Sequence, residues 1–215
     1  MKRSLVTTLV LLAACAGAAA ADYLPLPGGQ LRSVLPADGK DAPAKLSPFL
    51  MRATLVSNAQ YRDFVARHPE WRRGAVPAVL ASPTYLAKWK GPLDHGALDA
   101  NAPVTQVSWH AASAFCASEG GRLPRWYEWE YAAAADATRL DARDDPAWLS
   151  NSRNLYSRPA TSPPARIAQG GANIFGMHDM HGLVWEWVED YSGLFVNADS
   201  RANDPDKQLD YCGGA

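Results

Sequence analysis

Two kinds of side chain in this sequence carry reactive or metal-binding chemistry: thiols and imidazoles. Cysteine stands at 15, 116 and 212. No two of these cysteines are close in sequence. Cys116 follows Ala111, Ala112 and Phe115 at helical spacing, which puts it on an apolar helix face. Cys212 is the one weak candidate for a catalytic thiol. In an oxidising compartment Cys116 and Cys212 invite a disulfide; a buried thiol at Cys116 is the other reading. His178 and His181 form a His-x-x-His pair that can offer two imidazoles to zinc or iron. No third ligand is evident nearby, so hydrogen-bonded or exposed histidines are the simpler expectation.

The segment Trp185-Glu186-Trp187 sets a packing problem beside these groups. Alternate residues of an extended segment point to opposite faces. Both indoles are therefore expected to enter the core while Glu186 points the other way, where its charge needs a partner.

The start of the chain bounds where any of this chemistry takes place. Met1-Lys2-Arg3 precedes an apolar run from Leu5 to Ala14 and a small-residue stretch ending at Ala21, the pattern of a secretory signal peptide. The run is well short of the roughly 20 residues of a membrane span. Cleavage after Ala21 gives a free periplasmic or secreted protein. Leu12-Ala13-Ala14-Cys15 also reads as a lipobox, which would anchor the product to a membrane through Cys15. Residues 1–21 are expected as leader and 22–215 as one domain. Loss of the leader leaves 19 basic against 22 acidic residues, a net charge of −3, which makes nucleic acid a poor partner.

The positioning elements are short. Residues 22–47, rich in proline and glycine, read as extended edge strand and loop. Ser57 with Gln60 forms a capping box ahead of a helix burying Tyr61, Phe64 and Val65. Residues 70–103 show no sustained period and read as a long structured loop with one helical turn around Tyr85 to Trp89. Residues 103–107 read as a short strand. Ser108 caps a helix that Gly120-Gly121 ends, and a further helix carries Trp126, Trp129 and Ala133. The charged, proline-bearing stretch 136–172 reads as surface loop. Eight tryptophans are expected to pack between loops, with Trp109, Trp129 and Trp185 sharing one interior. The expected class is α+β, irregular and loop-rich.

Three ordered blocks carry a family resemblance. Val56-Ser57-Asn58-Ala59-Gln60-Tyr61 is similar to a V-T-N-x-x-Y entrance helix. Pro103-Val104-Thr105-Gln106-Val107-Ser108-Trp109 leads through Gly121-Arg122-Leu123-Pro124-Arg125-Trp126-Tyr127-Glu128-Trp129-Glu130-Tyr131-Ala132-Ala133. Gly176-Met177-His178-Asp179-Met180-His181-Gly182-Leu183-Val184-Trp185-Glu186-Trp187 closes the set. Together they resemble the formylglycine-generating-enzyme, or sulfatase-modifying-factor, family. Leu183 stands where that family has Asn, and Arg125-Trp126 replaces the Thr-Glu that would cap a helix.

The resemblance implies a C-type-lectin-like sulfatase-modifying-factor fold. It implies a calcium ion held by the Asp179 and Glu186 carboxylates and the Gly182 and Val184 carbonyls. Without metal, Asp179 would cap a turn and Glu186 would pair with an arginine. A second calcium site would begin at Asn154-Leu155, but no acidic residue follows in 157–171 to complete it. The family's activity oxidises a client sulfatase cysteine to formylglycine through a copper-binding cysteine pair after an R-G-G-S-W-like strand. Gly213-Gly214 falls at the double glycine, so the catalytic segment is expected to be missing. The expected function is a non-catalytic exported module that binds a partner protein or ligand. The alternative is the copper-dependent cysteine oxidase. A non-heme iron sulfoxide synthase ranks last, since it would need ligands from an additional helical domain. No G-x-S-x-G, H-E-x-x-H or P-loop marks an ordinary hydrolase or nucleotide enzyme.

Overall fold

The computed structural model describes residues 23–34, 42–157 and 164–190. The expected leader at residues 1–21, Cys15 and Cys212 lie outside these residues, as does any pairing of Cys212. The fold opens with two antiparallel ribbons. Strand β1 (Tyr23–Leu26) pairs with β4 (Phe49–Arg52), and β2 (Gly29–Leu31) pairs with β3 (Ala44–Leu46). Gly28 joins the ribbons at φ +69°, where a Cβ would stand 2.5 Å from the Leu46 carbonyl oxygen. Only glycine tolerates both that dihedral and that approach. The ribbons bury Leu26 and Leu31 against Tyr131, Ala132 and Met177, forming one of two cores.

Helix α1 (Asn58–Arg67) begins at the expected capping box, with the Ser57 hydroxyl accepting from the Gln60 amide and Gln60 Oε1 accepting from the Ser57 amide. Its buried face packs on α2 (Trp109–Ser118). Tyr61 stacks on Phe115 with centroids 5.8 Å apart, and Phe64 meets the same ring edge-on at 5.4 Å. The second core is completed from the irregular stretch by Tyr85, Leu86 and Trp89. A buried polar chain pins that stretch: Tyr61 Oη lies 2.8 Å from Tyr85 Oη, which donates to the Trp71 carbonyl. Asn58 Nδ2 donates to the Asp99 and Ala102 carbonyls, and its Oδ1 accepts from Trp89 Nε1. A long loop thus gains a buried hydrogen-bond network in place of a ladder, satisfying polar groups that would otherwise be costly to bury.

Two expectations fail here. Residues 103–107 are not a strand: Pro103 makes an isolated bridge to Ser57, and Gln106 turns the chain at φ +60°. The reason is local, since the Gln106 carbonyl and Oε1 accept from the amides of Leu86 and Lys88 and so fold the segment onto the loop. The stretch 136–172 is not all loop, because α4 occupies Pro146–Tyr156. Asp145 Oδ1 accepts from the amides of Ala147 and Trp148, with proline in the first turn; this is a complete N-terminal signal inside a charged run.

Helix α3 (Trp126–Ala133) follows Pro124. Its buried Glu130 accepts from the Val34 amide, the Ser33 hydroxyl and the Arg143 guanidinium. A buried carboxylate persists only when paired and hydrogen-bonded in this way. No helix among the described residues is long and apolar enough to cross a membrane.

Candidate functional site

The site grows from a turn fixed by one side chain. Asn173 Oδ1 accepts from the amides of Phe175 and Met177, while its Nδ2 donates to the Ala132 carbonyl at the end of α3. Met177 is buried, and the His178 amide donates to the Ala53 carbonyl beyond β4. Residues 178–188 are thereby held between α3 and the sheet. Asp179 takes φ +56° and its carboxylate accepts from the Ala168 amide. Gly182 takes φ +82°, and a Cβ there would lie 2.9 Å from Leu155 Cδ2 on α4.

The direction of Trp185-Glu186-Trp187 is opposite to the expectation for two of its three residues. Trp185 is 90% exposed. The Glu186 carboxyl is enclosed, although the residue keeps some accessible surface. It accepts from Trp129 Nε1 at 3.0 Å and makes no ion pair with an arginine among the described residues. Burial pushes the carboxyl up to about 7, the indole hydrogen bond opposes this, and the Asp179 charge adds to it. The segment is irregular rather than extended, so the alternation argument does not apply. Trp109 and Trp129 are half-buried. The expected shared interior of Trp109, Trp129 and Trp185 is therefore not formed.

What joins the blocks is a reciprocal clasp. Trp109 Nε1 donates to the Val188 carbonyl at 2.9 Å, and Trp187 Nε1 donates to the Val107 carbonyl at 3.0 Å. Asp190 Oδ1 then accepts from the Trp126 amide at 2.8 Å, and Glu128 accepts from the Arg125 amide. The start of α3 is thus capped by a carboxylate 64 residues downstream, where a carboxylate also suits the helix dipole. Nothing in the local sequence of α3 signals this cap.

The two histidines do not converge as a metal pair. His181 Nε2 lies 2.7 Å from the Ala133 carbonyl, which can only accept, so that nitrogen carries the proton; Nδ1 then accepts from Tyr156 Oη at 2.8 Å. Burial lowers the basicity of His181. His178 Nδ1 meets the Gly170 carbonyl instead. Among the described residues no three His, Cys, Asp or Glu side chains gather as a metal cluster. Asp179 and Glu186 do come together, close enough for one charge to act on the other. An enclosed carboxyl with one donor and a like charge beside it is electrostatically incomplete. Paired carboxylates are the donor type that a hard cation such as calcium takes.

Beside this turn a cavity of about 350 Å³ opens between β4, α2 and residues 178–187. Its walls include Phe49, Val104, Phe115 and Trp187, and Leu50 and Trp185 stand exposed on its rim. Cys116 lines it too; burial raises its thiol to about 11, with the Glu119 charge adding. At neutral pH this is a protonated thiol.

The described architecture agrees with what the chain resembles. A family model described as sulfatase-modifying factor enzyme 1-like domain matches residues 13–202. "Inactive C-alpha-formylglycine-generating enzyme 2" of Mus musculus is 29% identical over 207 residues, covering 76% of this chain and 67% of its own. "Hercynine oxygenase" of Mycolicibacterium smegmatis is 29% identical over 154 residues, covering 62% of this chain and 35% of its own. The chain thus spans about two thirds of one relative and about a third of the other. The crystal structure of CarF superposes with a TM-score of 0.51 at 20% identity, over 79% of this chain and 80% of that one, a likeness of fold. With a match from residue 13 to residue 202 and an irregular α+β core of the same kind, the chain belongs to the sulfatase-modifying factor enzyme 1-like domain family.

Proposed function

We propose that this chain is an exported, non-catalytic member of its family, acting as a periplasmic or secreted binding module for another exported protein or ligand. The observation that carries the reading is the state of Cys116. Among the described residues it is the one cysteine, and burial keeps its thiol protonated, whereas Cu(I) ligation needs a close pair of thiolates. The mouse relative, named inactive, supports a fold that persists without the oxidase activity. The apolar cavity with its exposed rim supplies a surface suited to binding. Export rests on the leader at residues 1–21, and attachment to a membrane would follow only from lipidation of Cys15.

Calcium belongs to this reading as a structural ion. Asp179 and Glu186 with the Gly182 and Val184 carbonyls would hold it, and its charge would offset the repulsion between the two carboxylates. The alternative reading, conversion of a client cysteine to formylglycine, requires Cys212 together with a second thiol. The test is incubation of purified mature protein with copper, oxygen and a sulfatase-type cysteine peptide, followed by mass spectrometry. The proposal expects unmodified peptide; catalytic formation of the aldehyde would overturn it.

A further inference from the structure

The large cavity carries an unanswered donor on its wall. Arg52 closes β4 and lines the cavity, and its Nε is buried with no hydrogen-bond partner. The guanidinium lies over the Phe115 and Tyr23 rings, 5.5 and 5.9 Å from their centroids. Its bonds to Glu119 both leave from Nη1, at 2.5 Å. A guanidinium presents its N–H groups in a fixed fork, so Glu119 leaves the edge formed by Nε and Nη2 unused. An enclosed donor without an acceptor is costly, and a fold that keeps one needs a reason.

The other charges around this space are already matched. Glu119 takes Arg52 and the Tyr23 hydroxyl, and Arg122 pairs with Glu128 at 2.7 Å. Glu186 gives Oε1 to Trp129 and shares its turn with Asp179, the place read above for calcium. A ligand carboxylate would meet Glu119 behind the guanidinium, and a ligand ammonium would meet Arg52 itself. An uncharged acceptor meets neither penalty. Most of the remaining wall is apolar, with Met51, Val107 and Leu123 beside Phe115. A volume of about 350 Å³ is room for one small molecule and not for an element of a folded partner.

Resting on the binding-module reading, we propose that this cavity takes a small, uncharged, apolar molecule bearing one carbonyl: a ketone, an ester or an amide. Its oxygen accepts from the unused edge of the Arg52 guanidinium, and its hydrocarbon body packs between Val104, Phe115 and Trp187. Cys116 lines the same space as a protonated thiol, so the site binds its ligand without attacking it.

The probe is prodan, an uncharged naphthalene with a propionyl carbonyl, whose emission moves to the blue in apolar surroundings. Titrated into purified mature protein, it should bind at one saturable site. Its 6-propyl counterpart replaces the carbonyl with CH2, and 6-dimethylamino-2-naphthoate is a matched anion that should bind more weakly than prodan. Arg52→Lys keeps a cation beside Glu119 but loses Nε, so the preference for prodan over the propyl compound should fall about fivefold, one hydrogen bond's worth. Ala112→Phe fills the cavity from α2 and should weaken prodan by about tenfold or more, with circular dichroism unchanged. In the unsubstituted protein, saturating prodan should slow alkylation of Cys116 by N-ethylmaleimide severalfold, read on the tryptic peptide by mass spectrometry. Absence of saturable binding, naphthoate bound as tightly as prodan, an unchanged Cys116 alkylation rate, or the full carbonyl preference retained in Arg52→Lys would each overturn the proposal. None of these readouts involves oxidation of a peptide, so their failure leaves the aldehyde test of the module reading standing.

Discussion

Trp129 Nε1 donates to Glu186 Oε1 at 3.0 Å, tying α3 to a carboxyl that no arginine neutralises among the described residues. One indole N–H is weak compensation for an enclosed carboxylate with Asp179 beside it. The arrangement makes the turn sensitive to whatever alters that charge: a proton, a cation or a substitution.

The first consequence concerns pH. The Glu186 carboxyl sits near 7 in the folded protein against an ordinary value of 4.5. Between those values the folded state holds a proton that the unfolded chain has lost. Stability is therefore full below about pH 4.5, falls as pH rises, and levels off above about 7, a loss of about 3 kcal/mol at most. The carboxylates held below their ordinary range, including Asp99, Glu128 and Asp141 beside arginines, act in the opposite sense and at lower pH. Urea unfolding in chelator at pH 5 and 7.5 should show the decline in wild type. Glu186→Gln, which keeps an acceptor for Trp129, should largely abolish it; an equal decline in that variant would assign the effect elsewhere.

The tryptophans should divide by burial and not by motif. Trp89 is buried with Tyr61 edge-on at 6.3 Å, so Trp89→Ala should cost about 3 to 5 kcal/mol. Trp185→Ala loses only its packing on Tyr156 and should cost about 1 kcal/mol or less. Thermal and denaturant unfolding of the two variants would expose a reversed order.

Gly182 offers a backbone test. A side chain there meets both an unfavourable φ of +82° and the Leu155 side chain, whose Cβ would be 3.0 Å away. Gly182→Ala should destabilise by about 1 to 3 kcal/mol. Leu155→Ala in the same background removes the Cδ1 and Cδ2 contacts while keeping Cβ, so it should relieve part of the steric cost and leave the dihedral part, and a double-mutant cycle showing strict additivity would deny the contact.

Much of the scaffold was legible because its signals are local. Ser57 with Gln60, Ser108, and the Gly120 stop each act within a turn of the helix they bound, and the Tyr61, Phe64 and Val65 face follows from period alone. The cap at Asp145 was equally local but was obscured by the charged run around it. What escaped sequence reasoning was long-range. The Asp190 cap of α3, the Trp109 and Trp187 clasp, and the Glu130 pocket built by Ser33, Val34 and Arg143 each join residues far apart in the chain. The pairing of Asp179 with Glu186 was implied by the family resemblance. The inward turn of Glu186 was not, because alternation assumes an extended chain that this segment does not form.

The turn's charge imbalance is most directly tested by titrating calcium into chelator-treated protein at pH 7.5 in a calorimeter, beside Glu186→Gln and Asp179→Asn. The account predicts one binding event in wild type, at least about tenfold weaker in either variant, each of which removes a ligand charge. Wild-type heat indistinguishable from buffer, or affinity unchanged in both variants, would contradict it.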